Sequence, residues 1–305
     1  MRVLYVSPMK YGSNAGVDAL GQGLRSRLAD AGLDLRVITA DFRAPGWPGN
    51  SDEAVAAGVA AGVDAVVVWV IDPDHPAAGA AAARRAGIPL ISLEKPRFEV
   101  DAAIVYPNFN HGVYMAEHLA TLLEPGADVA LIGGPDVVDD IELIAGITLG
   151  LRQSGLRLVN DPEDPRYKNS SDVAAGGREK ARNILADFPR LAGLIPYNDE
   201  TMLGTLDALR EAGRMGEVKM VSRNGTPAAV AAVLAGDHHG TWDLDIPGIG
   251  QAVADLVIRR LVGGEDLDGL CLASPIGRMI TPERALTWVP WEERIEYQPL
   301  IEGLD

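Results

Sequence analysis

Residues 62–95 read GVDAVVVWVIDPDHPAAGAAAARRAGIPLISLEK, and this stretch decides the fold. Two β-branched, apolar runs, at 65–70 and 89–93, enclose an alanine-rich segment at 76–86. Pro76 suits the first turn of a helix there, and Gly87 suits its end. A strand, a helix and a second strand in this order are typical of a parallel pair with a crossover helix. The stretch therefore predicts a parallel sheet covered by helices.

The same alternation continues on both sides of this stretch. Further strands are predicted at 3–7, 34–39 and 103–106, with helices at 17–31 and 51–61. A second series of strands is predicted at 129–132, 156–159, 191–196, 218–222 and 240–243. We expect an α/β protein with two Rossmann-like, doubly wound lobes, each built on a parallel sheet.

The two series resemble each other in detail. Gly23 precedes Gly32 by nine positions, and Gly146 precedes Gly155 by the same distance. In each pair, the first glycine lies within a predicted helix and the second lies at its end. Two lobes of one plan, related by duplication, would explain this. Helices that end in glycine are common, so chance is the alternative.

Size and charge restrict the function. A chain of 305 residues suggests two domains of about 150 residues each. With 43 acids, 27 bases and a net charge of -16, the chain repels nucleic acid and anionic membranes. Its apolar runs, such as 65–71, are far shorter than the ~20 residues of a membrane-spanning helix. Cys271 is the only cysteine and excludes an internal disulfide.

Four motifs of catalytic, metal or cofactor sites are absent from the sequence. It has no phosphate loop, no glycine triplet after the first strand and no Gly-x-Ser-x-Gly, and its five histidines show no metal spacing. We therefore expect no cofactor, no metal, no catalytic residues and no enzymatic activity.

Several segments carry a family resemblance. They are GVDAVVV at 62–68, IDPD at 71–74, AGIPLISLEK at 86–95, YNDETMLG at 197–204 and NGTP at 224–227. The chain resembles the type 1 periplasmic sugar-binding proteins over residues 2–263. Within that family, it most resembles the ribose- and galactose-binding members. The resemblance implies a monomeric solute-binding protein that closes two hinged lobes around a small polyhydroxy ligand and delivers it to an ABC transporter permease.

Two other interpretations remain beside this one, and a third is disfavoured. A sensor that presents a bound sugar to a membrane receptor would share the fold, and so would an enzyme on the same frame. A regulator of the lactose-repressor type would need a DNA-binding segment before the first strand, which already begins at Met1. That start also implies either a periplasmic protein whose export signal is missing from this sequence, or a cytoplasmic protein.

The positions where the strand series end and restart predict the domain boundaries. The N-terminal lobe comprises 1–106 plus 246–279, and the C-terminal lobe comprises 109–242 plus 281–305. Three crossings near 106–108, 243–246 and 278–281 form the hinge, and the ligand cleft lies between the lobes. Ligands of open parallel sheets bind outside the carboxyl ends of the strands.

The residues that match ligand positions of the family lie near such strand ends. They are Asn14, Glu94, Lys95, Asn108, Asn198, Asp199 and Asn224, with Trp69 and Tyr11 as aromatic contacts. Six of them have a plainer alternative. Asn14, Asn198 and Asp199 are suited to cap helices, Glu94 and Lys95 could form an exposed ion pair, and Trp69 could be core packing.

Two departures from the family pattern concern the ligand. The arginine that the family carries at the start of a helix is Leu143 here, and its paired aromatic residues are Gly16 and Val17. Phe109 is a weak substitute for the missing aromatic pair. We therefore expect a polyol or modified sugar in preference to ribose or galactose.

Asp139 and Asp140 suit a solvated helix start.

Overall fold

The structure, a computed structural model, describes residues 1–304 and divides into two compact units. Unit 1 comprises Met1–Tyr106, Ile246–Ser274 and the segment from residue 291 onward. Unit 2 comprises Pro107–Asp245 and Pro275–Pro290.

Strands and helices alternate along most of the chain. The strands are β1 (Arg2–Ser7), β2 (Asp34–Thr39), β3 (Ala65–Trp69), β4 (Leu90–Leu93), β5 (Ala102–Val105), β6 (Asp128–Ile132), β7 (Arg157–Leu158), β8 (Gly193–Pro196), β9 (Lys219–Met220), β10 (Ser222–Asn224), β11 (Thr241–Asp243), β12 (Leu270–Ala273) and β13 (Arg278–Ile280). The helices are α1 (Ala15–Asp30), α2 (Gly49–Ala60), α3 (Ala77–Arg85), α4 (Asn108–Ala120), α5 (Val138–Gln153), α6 (Ala174–Asp187), α7 (Asp199–Glu211), α8 (Pro227–Ala235), α9 (Ile246–Leu261), α10 (Pro282–Ala285) and α11 (Trp291–Arg294).

Unit 1 is built on a six-stranded sheet in the order β12-β5-β4-β3-β1-β2, in which every pair is parallel. Alternate residues of the central strands bury opposite faces. Leu4 and Val66 pack with Val55 of α2 on one face, while Tyr5 of the opposite face approaches α1 at Gly21. Helices on both faces explain why these strands are apolar throughout. The predicted doubly wound α/β class is confirmed.

Unit 2 contains two sheets where the sequence predicts one series of strands. The first has the order β7-β6-β8-β9 and is parallel. The second has the order β10-β11-β13, in which β13 is antiparallel to β11. The predicted strand at 218–222 is divided between β9 and β10, one in each sheet.

The predicted boundaries differ from the two units at two places. Residues 275–279 belong to unit 2, because Arg278–Ile280 form β13 there. The segment from residue 291 belongs to unit 1, because its backbone pairs with β2: Val37 N–H donates to the Ile301 carbonyl at 2.9 Å and Gly303 N–H to the Val37 carbonyl at 2.9 Å. The chain therefore passes between the units four times, and the prediction of three crossings is wrong.

The repeated glycines lie at equivalent helix crossings in the two units. A Cβ added to Gly23 of α1 would lie 2.0 Å from the Pro247 carbonyl oxygen of α9. A Cβ added to Gly146 of α5 would lie 2.0 Å from the Phe109 carbonyl oxygen of α4. Each glycine thus lets two backbones approach more closely than any side chain would allow.

Among residues 1–304, no helix is both long and apolar enough to span a bilayer. Within the same residues, no three His, Cys, Asp or Glu side chains are grouped as a metal site requires.

Candidate ligand-binding site

In unit 1, Trp69 carries the clearest sign of an incomplete site. It ends β3 and is half-buried. Its indole nitrogen is fully buried, yet no acceptor lies within hydrogen-bond distance among residues 1–304. Its ring tilts against Tyr106, with ring centroids 6.3 Å apart. A buried N–H without an acceptor costs about 1–3 kcal/mol, so this donor suits an acceptor brought by a ligand.

Glu94 and Lys95 follow β4 but differ in environment. Glu94 is 4% exposed, adopts a left-handed φ of 63°, and accepts a hydrogen bond from the Tyr106 backbone N–H at 3.3 Å. Lys95 is exposed. Burial of one side chain and exposure of the other argue against the exposed ion pair that was the alternative for these residues.

Asn14 and Tyr11 lie in the loop between β1 and α1. Asn14 is buried and caps α1, since its Oδ1 accepts hydrogen bonds from Gly16 N–H at 2.9 Å and Val17 N–H at 3.2 Å. Tyr11 is 41% exposed, and its hydroxyl accepts a hydrogen bond from Gln22 Nε2 at 3.0 Å. Gly16 and Val17 are buried in the first turn of α1, so they add no aromatic surface.

In unit 2, Asn108 is completely buried at the start of α4 and joins two charged side chains. Its Oδ1 accepts from Arg223 Nη2 at 2.8 Å, and its Nδ2 donates to Glu142 Oε2 at 3.2 Å. Sequence reasoning missed Arg223, which lies on β10 directly before the predicted Asn224. Its guanidinium is a multidentate donor of the kind that is missing at Leu143.

Position 143 lies in the helix packing of unit 2. Leu143 is completely buried, and its carbonyl oxygen would be 2.3 Å from a Cβ on Gly112 of α4. Phe109 is 39% exposed on α4, and Asn224, half-buried at the end of β10, has a left-handed φ of 126°.

Both the oxygen and the nitrogen of the Asn198 side-chain amide form hydrogen bonds. Its Oδ1 caps α7 by accepting from Thr201 N–H at 2.9 Å, and its Nδ2 donates to Asp172 Oδ1 at 2.6 Å. The hydroxyl of Tyr197, which is buried, donates to the same Asp172 oxygen. Burial raises the pKa of Asp172 to about 6. Asn198 is thus both the cap and a member of a polar cluster, and Asp172 is a further residue that sequence reasoning missed.

Asp199 has a different position from the ligand contact predicted for it. It is completely buried, and its carboxylate accepts hydrogen bonds from Ser222 Oγ at 2.5 Å, Thr241 Oγ1 at 2.7 Å and Thr226 N–H at 2.8 Å. Burial raises its pKa to about 7. These bonds join α7 to β10, β11 and the start of α8, so we leave Asp199 out of the proposed ligand set.

Asp139 and Asp140 begin α5, but the expectation of a solvated helix start is wrong for Asp140. Asp140 is 7% exposed, and no side chain caps this helix. Burial raises the pKa of Asp140 well above its usual range, and the neighbouring Asp139 and Asp172 carboxylates raise it further. Burial also raises the pKa of Asp139.

Comparison with known proteins gives one family. The profile of the periplasmic binding protein domain matches residues 5–265. A xylitol-binding protein of Mycolicibacterium smegmatis is 30% identical over 216 residues, which are 68% of this chain and 58% of that protein. A D-ribose/D-allose-binding protein of Pseudomonas aeruginosa is 27% identical over 173 residues, 53% of this chain and 52% of that protein. The chain thus matches a little over half the length of these two relatives.

Solved structures show the same fold. The periplasmic solute-binding protein of an ABC transporter from Actinobacillus succinogenes, solved with bound D-allose, has a TM-score of 0.82 to this chain at 19% identity. The similarity covers 94% of this chain and 99% of that one.

Proposed function

This chain belongs to the periplasmic binding protein family, in its type 1 sugar-binding class, and we propose that it captures a small polyhydroxy ligand and leaves it chemically unchanged. The buried, unpaired indole N–H of Trp69 carries the proposal. It lies at the carboxyl end of a parallel strand, where ligands of such sheets bind, and a ligand hydroxyl is a suitable acceptor.

Each unit has its own proposed ligand contacts. In unit 1 they are Trp69, Asn14, Tyr11, Glu94 and Lys95. In unit 2 they are Asn108, Asn198, Asn224 and the added Arg223. Amides, a carboxylate, a guanidinium and an indole N–H together offer both donors and acceptors, which suits hydroxyl groups. The absence of an aromatic pair at Gly16 and Val17 favours a polyol or modified sugar over ribose or galactose, and the relative named for xylitol supports this preference.

We further propose that the captured ligand is delivered to an ABC transporter permease on the outer side of the cytoplasmic membrane. The basis is family membership, since the relatives are binding proteins and one is named as a ribose import protein. Their roles as binding proteins also support the proposal that this chain is not an enzyme.

Trp69→Phe tests the proposed site, because it keeps an aromatic ring and removes the N–H. A thermal-shift screen against pentoses, hexoses, cyclitols and four- to six-carbon polyols would first identify a ligand; at 100 times its dissociation constant, a ligand adds about 2.7 kcal/mol of stability. Calorimetry with that ligand should then show affinity about 5- to 150-fold weaker for Trp69→Phe, which corresponds to one lost buried hydrogen bond.

Trp291→Phe is the matched control. The Trp291 indole nitrogen is also buried without an acceptor among residues 1–304, but it lies in α11 and follows no strand of the sheet. Its removal should leave affinity unchanged. Equal affinity of Trp69→Phe and the unmodified protein would contradict the proposed role of Trp69, and a screen without any polyhydroxy ligand would contradict the proposed function.

A further inference from the structure

Carboxyl groups outnumber bases at the strand ends of unit 2. The charges of Asp139 and Asp172 raise the pKa of Asp140, and those of Arg223 and Lys168 lower it. We call the three aspartates the acidic half-site. They come from the start of α5 and from the loop before α6, and the glycine loop after β6 brings these segments together.

The two nearby bases are already engaged by other groups. Lys168 Nζ donates to Asp136 Oδ1 at 2.5 Å and to Glu163 Oε2 at 2.6 Å. Arg223 donates to Asn108, whose amide also contacts the carboxylate of Glu142. Lys168 therefore lies beside two carboxylates outside the acidic half-site. Arg223 is the remaining base that acts on Asp139 and Asp140, so three carboxylates against one guanidinium leave an excess of negative charge whenever all three are ionised.

Asp140 is the member that points to a ligand. It is 7% exposed, and no N–H or O–H group among residues 1–304 donates a hydrogen bond to its carboxylate. Its Oδ2 would be 2.8 Å from a Cβ on Gly134, so the carboxylate faces the glycine loop at the carboxyl end of β6. Buried carboxylates are ordinarily paired or hydrogen-bonded, so this one lacks a partner that a ligand would supply.

We infer that the ligand is an amino polyol or amino sugar whose protonated amine binds the acidic half-site. The inference rests on the proposed function and specifies its ligand class. A hydroxyl can donate one hydrogen bond to a carboxylate but cannot offset its charge. An ammonium group offers three N–H donors and a positive charge, so it satisfies Asp140 and offsets Asp139 and Asp172 together.

Proton release gives this inference a direct signature. Burial raises the pKa of Asp172 to about 6 and raises those of Asp139 and Asp140 as well. A bound ammonium group favours the ionised forms and lowers these pKa values again. Binding of an amine near pH 6 should therefore release protons, whereas binding of a neutral polyol should release none.

Matched pairs of ligands test the inference. Xylitol, allose and myo-inositol would each be titrated beside an analogue in which one hydroxyl is replaced by an amine, and beside the N-acetyl form of that analogue. We expect at least one amine to bind about tenfold or more tightly than its neutral partner, with the advantage lost on acetylation. Calorimetry in buffers of different ionisation enthalpy would measure the released protons.

Asp140→Asn locates the amine, and Asp207→Asn is its control. Asp207 is an exposed carboxylate of unit 2 on α7, so its replacement removes the same charge from the surface. Asp140→Asn should weaken amine binding about tenfold and change neutral binding by less than about twofold, while Asp207→Asn should change neither.

The ligand-free protein supplies a second measurement. The pKa of Asp140 is higher in the folded protein than in the unfolded chain. Ionisation of Asp140 therefore lowers the stability of the folded protein as the pH rises above the pKa of the unfolded chain. Asp140→Asn should therefore raise the melting temperature, and by more at about pH 8 than at about pH 5. If Asp140→Asn melted at a lower temperature than the unmodified protein at about pH 8, the carboxylate would have a partner within the protein. That result would overturn the inference.

The outcomes separate the inference from the proposed function. Neutral polyols that bind as tightly as their amines, with no proton release, would overturn the amine assignment and leave the proposed function intact. Failure of every neutral and amino compound to bind would contradict both.

Discussion

The carboxylate of Asp199 accepts three hydrogen bonds in the interior of unit 2, and its replacement has a predictable effect on stability. In Asp199→Asn, an oxygen can still accept from Ser222 and Thr241, but the new amide N–H₂ faces the Thr226 N–H that donated to the second oxygen. We expect the free energy of unfolding to fall by about 1–3 kcal/mol at pH 5. Urea denaturation would measure this loss, with the exposed Asp207→Asn as control.

The pH dependence of this variant has a definite sign. Burial raises the pKa of Asp199 to about 7, above its unfolded value, so the unmodified protein loses stability as pH rises from about 4 to 7. Asparagine does not titrate, so the deficit of the variant should shrink at pH 8. A deficit that grew with pH would show that the ionised carboxylate is the favoured form in the folded protein.

At the scale of elements, the helix pairs α1 with α9 and α4 with α5 depend on glycine at the crossing. Gly23→Ala and Gly146→Ala would each place a methyl group 2.0 Å from a backbone carbonyl oxygen, which cannot move as a side chain does. We expect each change to lower the free energy of unfolding by about 1–3 kcal/mol. Thermal denaturation would measure the effect.

Gly49→Ala provides the control for both glycine variants. Gly49 begins α2, and an added Cβ there meets no atom within 4 Å. Alanine should be neutral or stabilising by up to about 1 kcal/mol. If the three variants had equal stability, the close approach at the two crossings would not limit packing.

At the scale of the whole molecule, the segment from residue 291 returns to unit 1 and extends its sheet beyond β2. The backbone of Val37 exchanges hydrogen bonds with Ile301 and Gly303, and Gln298 exchanges two with the side chain of Gln22, at 2.6 and 2.9 Å. Removal of residues 299–305 should therefore speed amide hydrogen exchange in β2 by about tenfold or more and leave β6 of unit 2 unchanged.

Glu302→Ala is the matched control for this deletion, since it removes a side chain and keeps the backbone bonds. Exchange in β2 should then stay as in the unmodified protein. Faster exchange in β6 after the deletion would show that the segment stabilises the molecule as a whole and not the edge of one sheet.

The sequence by itself determined the order of strands and helices and the location of polar residues at strand ends. Both follow from local patterns: β-branched runs between glycine-terminated helices predict parallel sheets, and the residue after a strand is read directly from the chain. Trp69 was singled out as a strand-end residue, whereas Asn14 and Asn198 were proposed from the family resemblance. The caps that were the alternative for the two asparagines are confirmed.

Only the tertiary structure decided which polar residues are saturated within the protein and which are not. Asp199 and Asp140 are both aspartates near the start of a helix, yet one receives three hydrogen bonds and the other none among residues 1–304. Arg223 contacts Asn108 from a short strand, and Asp172 contacts Asn198 from a long loop. Hydrogen-bond partners and burial depend on segments distant in the chain, and a local pattern carries no information about them.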